Sequence, residues 1–522
     1  MATSAFISKP DVTLNMLARG GETGVEDHRI LMVGQLTTAG TASAGLFQDV
    51  PRNNADINAA FGPRSHAAMI ARAVRKVNKY TEMDALLLAD ATGTAATASG
   101  ILLGTATAAG TIYLDVVSST DHSYKVDIEV GDDEAAVMVK ILAKTSVDTS
   151  APFTGAKSTV TNTDDTITFT AANDGTFANK WLIRLRGTMP AGITFTLTGW
   201  ASGATDPTIT SVFDPVANIR YQTIIWPGTY TTSILQTWID ARKNVDNDIK
   251  DGVAFYWTDD TFSNVKTEAL ARNTSEIVIL HNETQSTATY KGPHIPEAPD
   301  VIAAQFAATR AKRFEASVSI TDIVTSIEPL DQFGGIHTAA LPYFNTLLPY
   351  LEQPVRGTGL TQAEQAELRG AGVSVIGANE LNNGILAGTV VTTYQNDGAG
   401  NDDDSWQFLN WRDTHSIVRE YFHANIKAHF AQYRMSTGEA VPGYAIATEG
   451  LVRAYAVKLY TQLAAKAITV DSRDALKSFR EDMIVTAVPS LRKFDCYFDV
   501  PVLSQAEKFL GSVRFNFGIT TS

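Results

Sequence analysis

Short apolar runs alternate along this chain with segments whose apolar residues recur every three or four positions. Arg29 to Leu36 (RILMVGQL) reads as a buried strand, and Ala85 to Ala89 (ALLLA) as a second. Between them, Ser65 to Tyr80 predicts a helix. Met69, Ile70, Val74 and Val77 lie on one side of it, with Arg72, Arg75, Lys76 and Lys79 around the other. From about residue 220 the order becomes βαβαβ. TIIW is a strand, Ser233 to Val245 a helix with Ile234, Trp238 and Val245 roughly aligned, and GVAFYW a strand. FSNVKTEALARN is then a helix, SEIVILHN a strand, and Asp300 to Phe314 a further helix. Apolar strands alternating with amphipathic helices predict a mostly parallel sheet covered on both faces.

The pattern changes between these two parts. Residues 91–207 are dense in Thr, Ala, Ser, Gly and Asp, with short alternating runs such as TIYLDVV, YKVDIEV, TITFTAA and ITFTLTG. Strands of that length, separated by turn residues, predict an all-β domain inserted into the main one and facing solvent.

The last third predicts helices with β segments. Thr361 and Glu364 are spaced as a capping box, with Gly370 at the helix end. VSVIG and GILAGTVVTTY follow as strands. Asp413 to Tyr433 carries Ile417, Val418, Tyr421, Phe422, Ile426, Phe430 and Tyr433 at near-helical spacing. Val452, Tyr455, Leu459 and Leu463 mark the next helix, and Asp471 or Ser472 begins a third. Alternation returns at Phe494, Cys496, Phe498, Val500 and Val502, and again at Val513, Phe515, Phe517 and Ile519. At the other end, residues 1–20 read as an arm, with Phe6, Ile7, Val12, Leu14 and Leu17 among polar residues and Pro10.

Composition narrows the function classes. The chain has 522 residues, 44% of them hydrophobic and 19% charged, which fits three or four folded domains. A net charge of −14 argues against general nucleic-acid affinity, which needs an excess of Lys and Arg. The single cysteine, Cys496, excludes an intramolecular disulfide and fits a reducing compartment. The N-terminus has neither a basic nor an apolar signal region, so no signal peptide is expected. Ala98 to Val117 is rich in Gly, Thr and Ala and is interrupted by Asp115, so no membrane insertion is expected there.

Catalytic signatures are sparse. The chain contains no G-x-x-x-x-G-K-[ST], no H-E-x-x-H and no G-x-S-x-G. His415, His423 and His429 fall on different faces of one predicted helix, so a shared metal is not expected. Residues 396–404 (NDGAGNDDD) could bind Ca²⁺ but do not follow the EF-hand order; a solvated loop is the expectation. No cofactor, metal or catalytic residue is expected, and the chain is read as a non-enzyme.

The run TTYQNDGAGNDDDSWQFLNWRDTHSIVREYFHANIKAHFAQYRMSTG resembles contractile phage tail sheath proteins, particularly those of Mu-like phages. WPGTYTTSILQTWID, VIAAQFAATRAKRFE and LTQAEQAELRGAGVSVIGANE resemble other segments of that family, in the family's order. The likeness covers about residues 215–520 and, more weakly, the first 85. Two places depart from it. ASVSI at 316–320 stands where the family often has Asp-Pro-Ala-Arg-Pro, and the stretch before Thr361 lacks the family's basic, Thr-containing motif.

The resemblance implies an α/β (mixed α+β) sheath core, likened in fold to subtilisin. It further implies a structural role in a helical homopolymer of stacked rings around a tail tube, with baseplate and tail terminator proteins as partners. The extended sheath would be metastable and would contract without nucleotide hydrolysis, driving the tube through the host envelope during genome delivery. The protein would assemble in the host bacterial cytoplasm and reside in the virion. On this reading residues 1–20 are an N-terminal arm, 21–90 and 208–508 a discontinuous core, 91–207 an inserted surface β domain, and 509–522 a C-terminal strand-exchange arm.

Strand exchange would use Val513, Phe515, Phe517 and Ile519, and Phe6, Ile7 and Val12. Burying the C-terminal strand would contribute roughly 6–12 kcal/mol, against roughly 8–16 kcal/mol for ordering its residues, so order is expected only in the polymer. Arg473, Lys477 and Arg480 form a basic stripe that the resemblance assigns to contact with an acidic tube. Two other classes remain open at this stage: a different virion or surface-array protein, and a hydrolase-like enzyme.

Overall fold

The computed structural model describes residues 28–502 apart from 319–342 and the short segments 158–164, 210–212, 244–249, 259, 282–283, 287–289, 294, 344–345, 349, 353–359, 380–383, 388–389, 439–443, 466–468, 489 and 491–492. The first part runs β1 (Arg29–Gln35), β2 (Gly45–Phe47), α1 (Asn54–Phe61), α2 (His66–Val77) and β3 (Glu82–Leu88). Then come β4 (Ala95–Gly104), β5 (Gly110–Ile128), α3 (Glu134–Ser146), β6 (Phe153–Lys157), β7 (Asp165–Asp174), β8 (Leu182–Arg186) and β9 (Ile193–Ala201). The chain continues with β10 (Thr223–Ile225), α4 (Thr232–Lys243), β11 (Val253–Thr258), α5 (Phe262–Arg272) and β12 (Ile277–His281). Next are β13 (Thr284–Ser286), β14 (Tyr290–Pro293), α6 (Pro299–Val318), β15 (Thr346–Leu348), α7 (Gln362–Gly370), β16 (Val373–Asn379) and β17 (Gly384–Ala387). The last part holds α8 (Leu409–Phe430), β18 (Arg434–Met435), β19 (Ile446–Ala447), α9 (Glu449–Ala465), α10 (Arg473–Asp482), β20 (Ile484–Val488) and β21 (Lys493–Tyr497).

A nine-stranded sheet in the order β15-β17-β16-β12-β11-β10-β1-β3-β2 organises the main body. Its centre, from β16 through β12, β11, β10 and β1 to β3, is parallel, and β2, β15 and β17 pair antiparallel at the edges. Both faces are covered, which is why the central strands read as continuous apolar runs. Ile30, Met32, Phe255, Trp257, Val278 and Leu280 face one core, with Ile70 of α2 and Ile302 of α6. Leu31, Val33, Ala254, Tyr256, Ile277 and Ile279 face the other, with Leu235 of α4, Val265 of α5 and Leu368 of α7.

Helix α2 docks closely on β1 because the strand carries Gly34 at the crossing. A Cβ there would lie 2.8 Å from the Ala67 Cα. Arg75 departs from the solvent-facing role its spacing predicts. It is buried, and its guanidinium donates to the carbonyls of Val50 at 2.7 Å and Thr81 at 2.8 Å. Burial lowers that guanidinium to about 10, Arg52 adding to the effect. Periodicity placed Arg75 opposite the apolar stripe, but the loops folded back over that side need a donor for their carbonyls.

The segment between β3 and β10 is not all-β as predicted. It contains α3, a helix of 13 residues that buries Val137, Met138 and Ile141. The Asp133 side chain caps it by accepting from the Ala136 amide. Its strands form a sheet β6-β7-β4-β9 and contribute β8 and β5 to a second sheet. That second sheet is completed by β13 and β14, from outside the 91–207 boundary. Phe153, Phe169, Trp181 and Trp200 join the same apolar cluster as Ile30 and Ile70, so this segment shares a core with the main body. Ala98 to Val117 lies in β4 and β5, and the buried Asp115 pairs with Arg184 and Arg186 at 2.7 Å each. Among the described residues no helix is long and apolar enough to cross a membrane.

The remaining helices follow their sequence signals closely. The capping box at Thr361 and Glu364 forms in both directions. Ser472 caps α10 by accepting from the Ala475 amide. Helix α8 begins at Leu409, earlier than the predicted Asp413, because Leu409 is drawn into the main core. The long predicted strand GILAGTVVTTY is broken. Gly384–Ala387 pairs with β16, and Val391 forms an isolated bridge to Phe408.

Candidate functional site: the C-terminal module

Helices α8, α9 and α10 and the β20–β21 hairpin build a separate apolar cluster at the C-terminal end. Ile417, Val418, Tyr421 and Phe422 of α8 meet Val452, Leu459, Tyr460 and Leu463 of α9, with Phe479 and Val485. Phe479 stacks on Tyr460 at 4.6 Å between ring centroids and meets Phe422 edge-on at 6.0 Å. Phe494, Phe498, Val500 and Val502 pack partly buried against the same cluster, so the alternation read there faces this core except at Cys496, which is exposed.

Two surfaces of this module are exposed. Burying Phe479 turns Arg473, Lys477 and Arg480 of α10 outward, so the predicted basic stripe faces solvent. Lys477 lies 3.9 Å from Glu481, and Asp474, Glu481 and Asp482 are exposed on the same helix, so the stripe is of mixed charge. The second surface is the hairpin. β20 and β21 pair antiparallel from Ile484↔Tyr497 to Val488↔Lys493, and among the described residues neither carries a further strand on its outer edge. Ile484 is 56% exposed and Tyr497, its cross-strand partner, 63%. The predicted strand-exchange residues Val513, Phe515, Phe517, Ile519, Phe6, Ile7 and Val12 lie outside the described residues.

A buried ion network joins this module to the main sheet, and nothing in the linear pattern announced it. Arg220, Asp251 and Glu276 stand just before β10, β11 and β12, at the amino ends of three neighbouring parallel strands. The first turns of α8 lie against them. Arg412 reaches Asp251 at 2.9 Å and also pairs with Glu276. Arg220 bridges Asp251 at 2.9 Å and Glu420 at 2.6 Å. Ser416 donates to Asp251 at 2.7 Å, and Arg419 reaches it from the solvent side at 2.6 Å. From α6, Arg310 forks onto both oxygens of Asp413, at 2.6 and 3.0 Å, and Tyr343 donates to the same carboxylate at 2.6 Å.

Burial alone would raise the Asp251 carboxyl, but Arg412, Arg220 and Arg419 hold it well below the usual carboxylate range. Burial would likewise lower Arg412, and Glu276, Asp251 and Asp413 raise it instead. His28, which meets the Thr223 hydroxyl at 2.7 Å, is held well below its ordinary value by burial and by Arg310 and Arg220. The helical face of α8 was legible from its aromatics. The partners of Arg412 and Asp413, namely Asp251, Glu276, Arg310 and Tyr343, were not, because they come from 70 or more residues away.

The other chemical candidates resolve into structure. His415 packs on Trp406 at 4.9 Å, and His429 stacks on Tyr455 at 4.1 Å. Among the described residues no group of three His, Cys, Asp or Glu is placed to hold a metal ion. In the loop 396–404, Asp397 accepts from the Ala399 and Asn401 amides, and Asp403 accepts from Tyr394 and Ser405. Those bonds, from Asn401 and Tyr394 first, hold both carboxyls below their usual range, and Asp403 pushes the Tyr394 phenol up to about 12.

No protein-family profile matches the chain. The Mu-like prophage FluMu tail sheath protein of Haemophilus influenzae is 25% identical over 445 residues, spanning 84% of this chain and 82% of that protein. Among solved structures, a sheath tail protein of Desulfitobacterium hafniense aligns at a TM-score of 0.43 and 11% identity, over 92% of this chain and 97% of its own. A sheath tail protein of Listeria innocua aligns at 0.45 and 11%, over 93% and 94%. The contracted helical sheath of the anti-feeding prophage aligns at 0.36 and 12%, over 62% and 78%. At 25% identity along 84% of its length, the chain is similar to a tail sheath protein of a Mu-like prophage.

Proposed function

We propose that this chain is a structural subunit of a contractile phage tail sheath. It polymerises with copies of itself as stacked rings around a tail tube, between a baseplate and a tail terminator. The assembled sheath stores strain and contracts without nucleotide hydrolysis, driving the tube through the host envelope. The role is mechanical, not catalytic; assembly takes place in the host cytoplasm and the product resides in the virion. The observation that carries this reading is the match to a named tail sheath protein along 84% of the chain.

The module's geometry supports a specific form of assembly. A two-stranded sheet with open outer edges is an aggregation hazard unless a partner strand covers it. The alternating residues Val513 to Ile519 suit such a partner, with main-chain hydrogen bonds for affinity and alternate side chains for register. In this reading residues 509–522, and residues 1–20 at the other end, add strands to β20–β21 of neighbouring subunits. Residues 21–90 and 208–508 form the discontinuous core around the 91–207 insertion. The stripe Arg473, Lys477 and Arg480 faces the tube.

Electron microscopy of the purified protein tests the proposal. Hollow helical tubes wider than a tail tube are expected, and removal of residues 509–522 should abolish them. Monomers that turn over a substrate would overturn the sheath reading. Normal tubes from the truncated chain would overturn the C-terminal arm alone.

A further inference from the structure

Helix α8 belongs to two bodies at once. Leu409 enters the main core, the turns from Arg412 to Ser416 lie in the ion network, and Ile417 to Phe422 belong to the C-terminal cluster. The two apolar clusters do not merge along this helix. Between them stand charged pairs whose strength depends on distance and direction, whereas apolar contact is non-directional. Asp251 is the hub. It lies at the amino end of the central strand β11 and gathers Arg220, Arg412, Arg419 and Ser416 on its two oxygens. Arg220 continues the chain of contacts to Glu420, one turn further along α8. Every tie therefore fixes the angle of α8 against the amino ends of the central strands, and α8 carries the rest of the module with it.

We propose that this network is a clasp that sets the orientation of the C-terminal module on the sheet body, and that releasing it lets the module turn as a unit while both cores stay folded. Each body keeps its own apolar cluster, and of the apolar residues of α8 it is Leu409 that opening the ionic layer draws out of the main core. Removing one member leaves the opposite charges uncompensated, which favours separation of the layer over a dry, unpaired state. Asp251, Arg412 and Arg220 act as positioning residues, and the clasp does not depend on whether the chain forms a sheath.

The test uses the full chain as a purified subunit. Spin labels at Cys496, exposed in the module, and at Tyr80→Cys, exposed on the sheet body, report the distance between the two. A single narrow distribution is expected for the otherwise unchanged protein, and a distribution at least twice as broad for Asp251→Asn. Amide exchange in residues 409–416 should rise at least tenfold in that variant, with β11, β12 and α9 within twofold of their original rates. An unchanged distance distribution would overturn the clasp. So would an equal rise in exchange across β11 and α9, which would make the network part of one cooperative core. Should Asp251→Asn fail to fold, Arg419→Ala gives the same readout, since Arg419 is half-exposed and removes a single tie. A smaller broadening is expected there, and no broadening would again contradict the proposal.

Discussion

The sheet body and the C-terminal module solve the same problem in different ways. In the sheet body, parallel strands bury apolar side chains on both faces, and helices cover each face. Past Leu409, where α8 meets that body, buried guanidinium and carboxylate groups replace the apolar layer, and hydrophobic packing resumes at Ile417. Adhesion and orientation are therefore supplied separately. Apolar burial holds each body together, and the ionic layer between them sets their angle.

Substitutions that separate these two roles should differ in size and in reach. Phe479→Ala should cost about 3–5 kcal/mol, confined to the C-terminal module, because the ring fills the space between Tyr460, Phe422 and Phe498. Fluorescence and exchange in α9 would report the loss, and an equal loss in β11 would blur the distinction between the bodies.

Asp251→Ala should ease opening of the α8 junction by about 3–5 kcal/mol, read by amide exchange in residues 409–416, since it leaves buried Arg412 and Arg220 without their hub, while the unfolding of each body stays unchanged. It should also change the acid response. The Asp251 carboxyl is depressed in the folded state, so its contribution is fully present above about pH 4 and is lost as pH falls below that, toward the folded value. The stability of that junction, measured between pH 5 and pH 2, should therefore fall less steeply in the variant than in the unmodified chain.

Gly34→Ala should cost about 1–3 kcal/mol, because the new methyl meets the Ala67 backbone of α2. That loss should appear in the sheet body and leave the module's own unfolding unchanged. Lys477→Glu, on an exposed helix face, should shift stability by less than about 0.5 kcal/mol. In the proposed assembly it should nevertheless weaken binding to an acidic tube, as read by co-sedimentation.

The part of this structure that was legible in the sequence is the part whose forces leave a local trace. The strands at Arg29 and Val253, the cap at Ser472 and the capping box at Thr361 announce themselves over a few residues, and each stands where its signal lies. Helix α3 also left a trace, an Asp133 cap followed by Val137 and Ile141 at helical spacing. The surrounding Thr-rich strand pattern masked it. Arg75 and the ion network left none. An arginine that caps distant carbonyls and one that faces water occupy the same position in a periodic pattern, and only the fold tells them apart. The candidate assembly surfaces divide in the same way. The α10 stripe was readable from spacing, whereas the open edges of β20–β21 follow from pairing that no single segment encodes.

Helical reconstruction of tubes formed by the full chain would put the proposed assembly to its sharpest test. Density for residues 513–519 of one subunit is expected along an outer edge of the β20–β21 hairpin in the next, in strand register. Tubes in which that segment pairs within its own chain, or in which both hairpin edges stay bare, would contradict strand exchange between subunits.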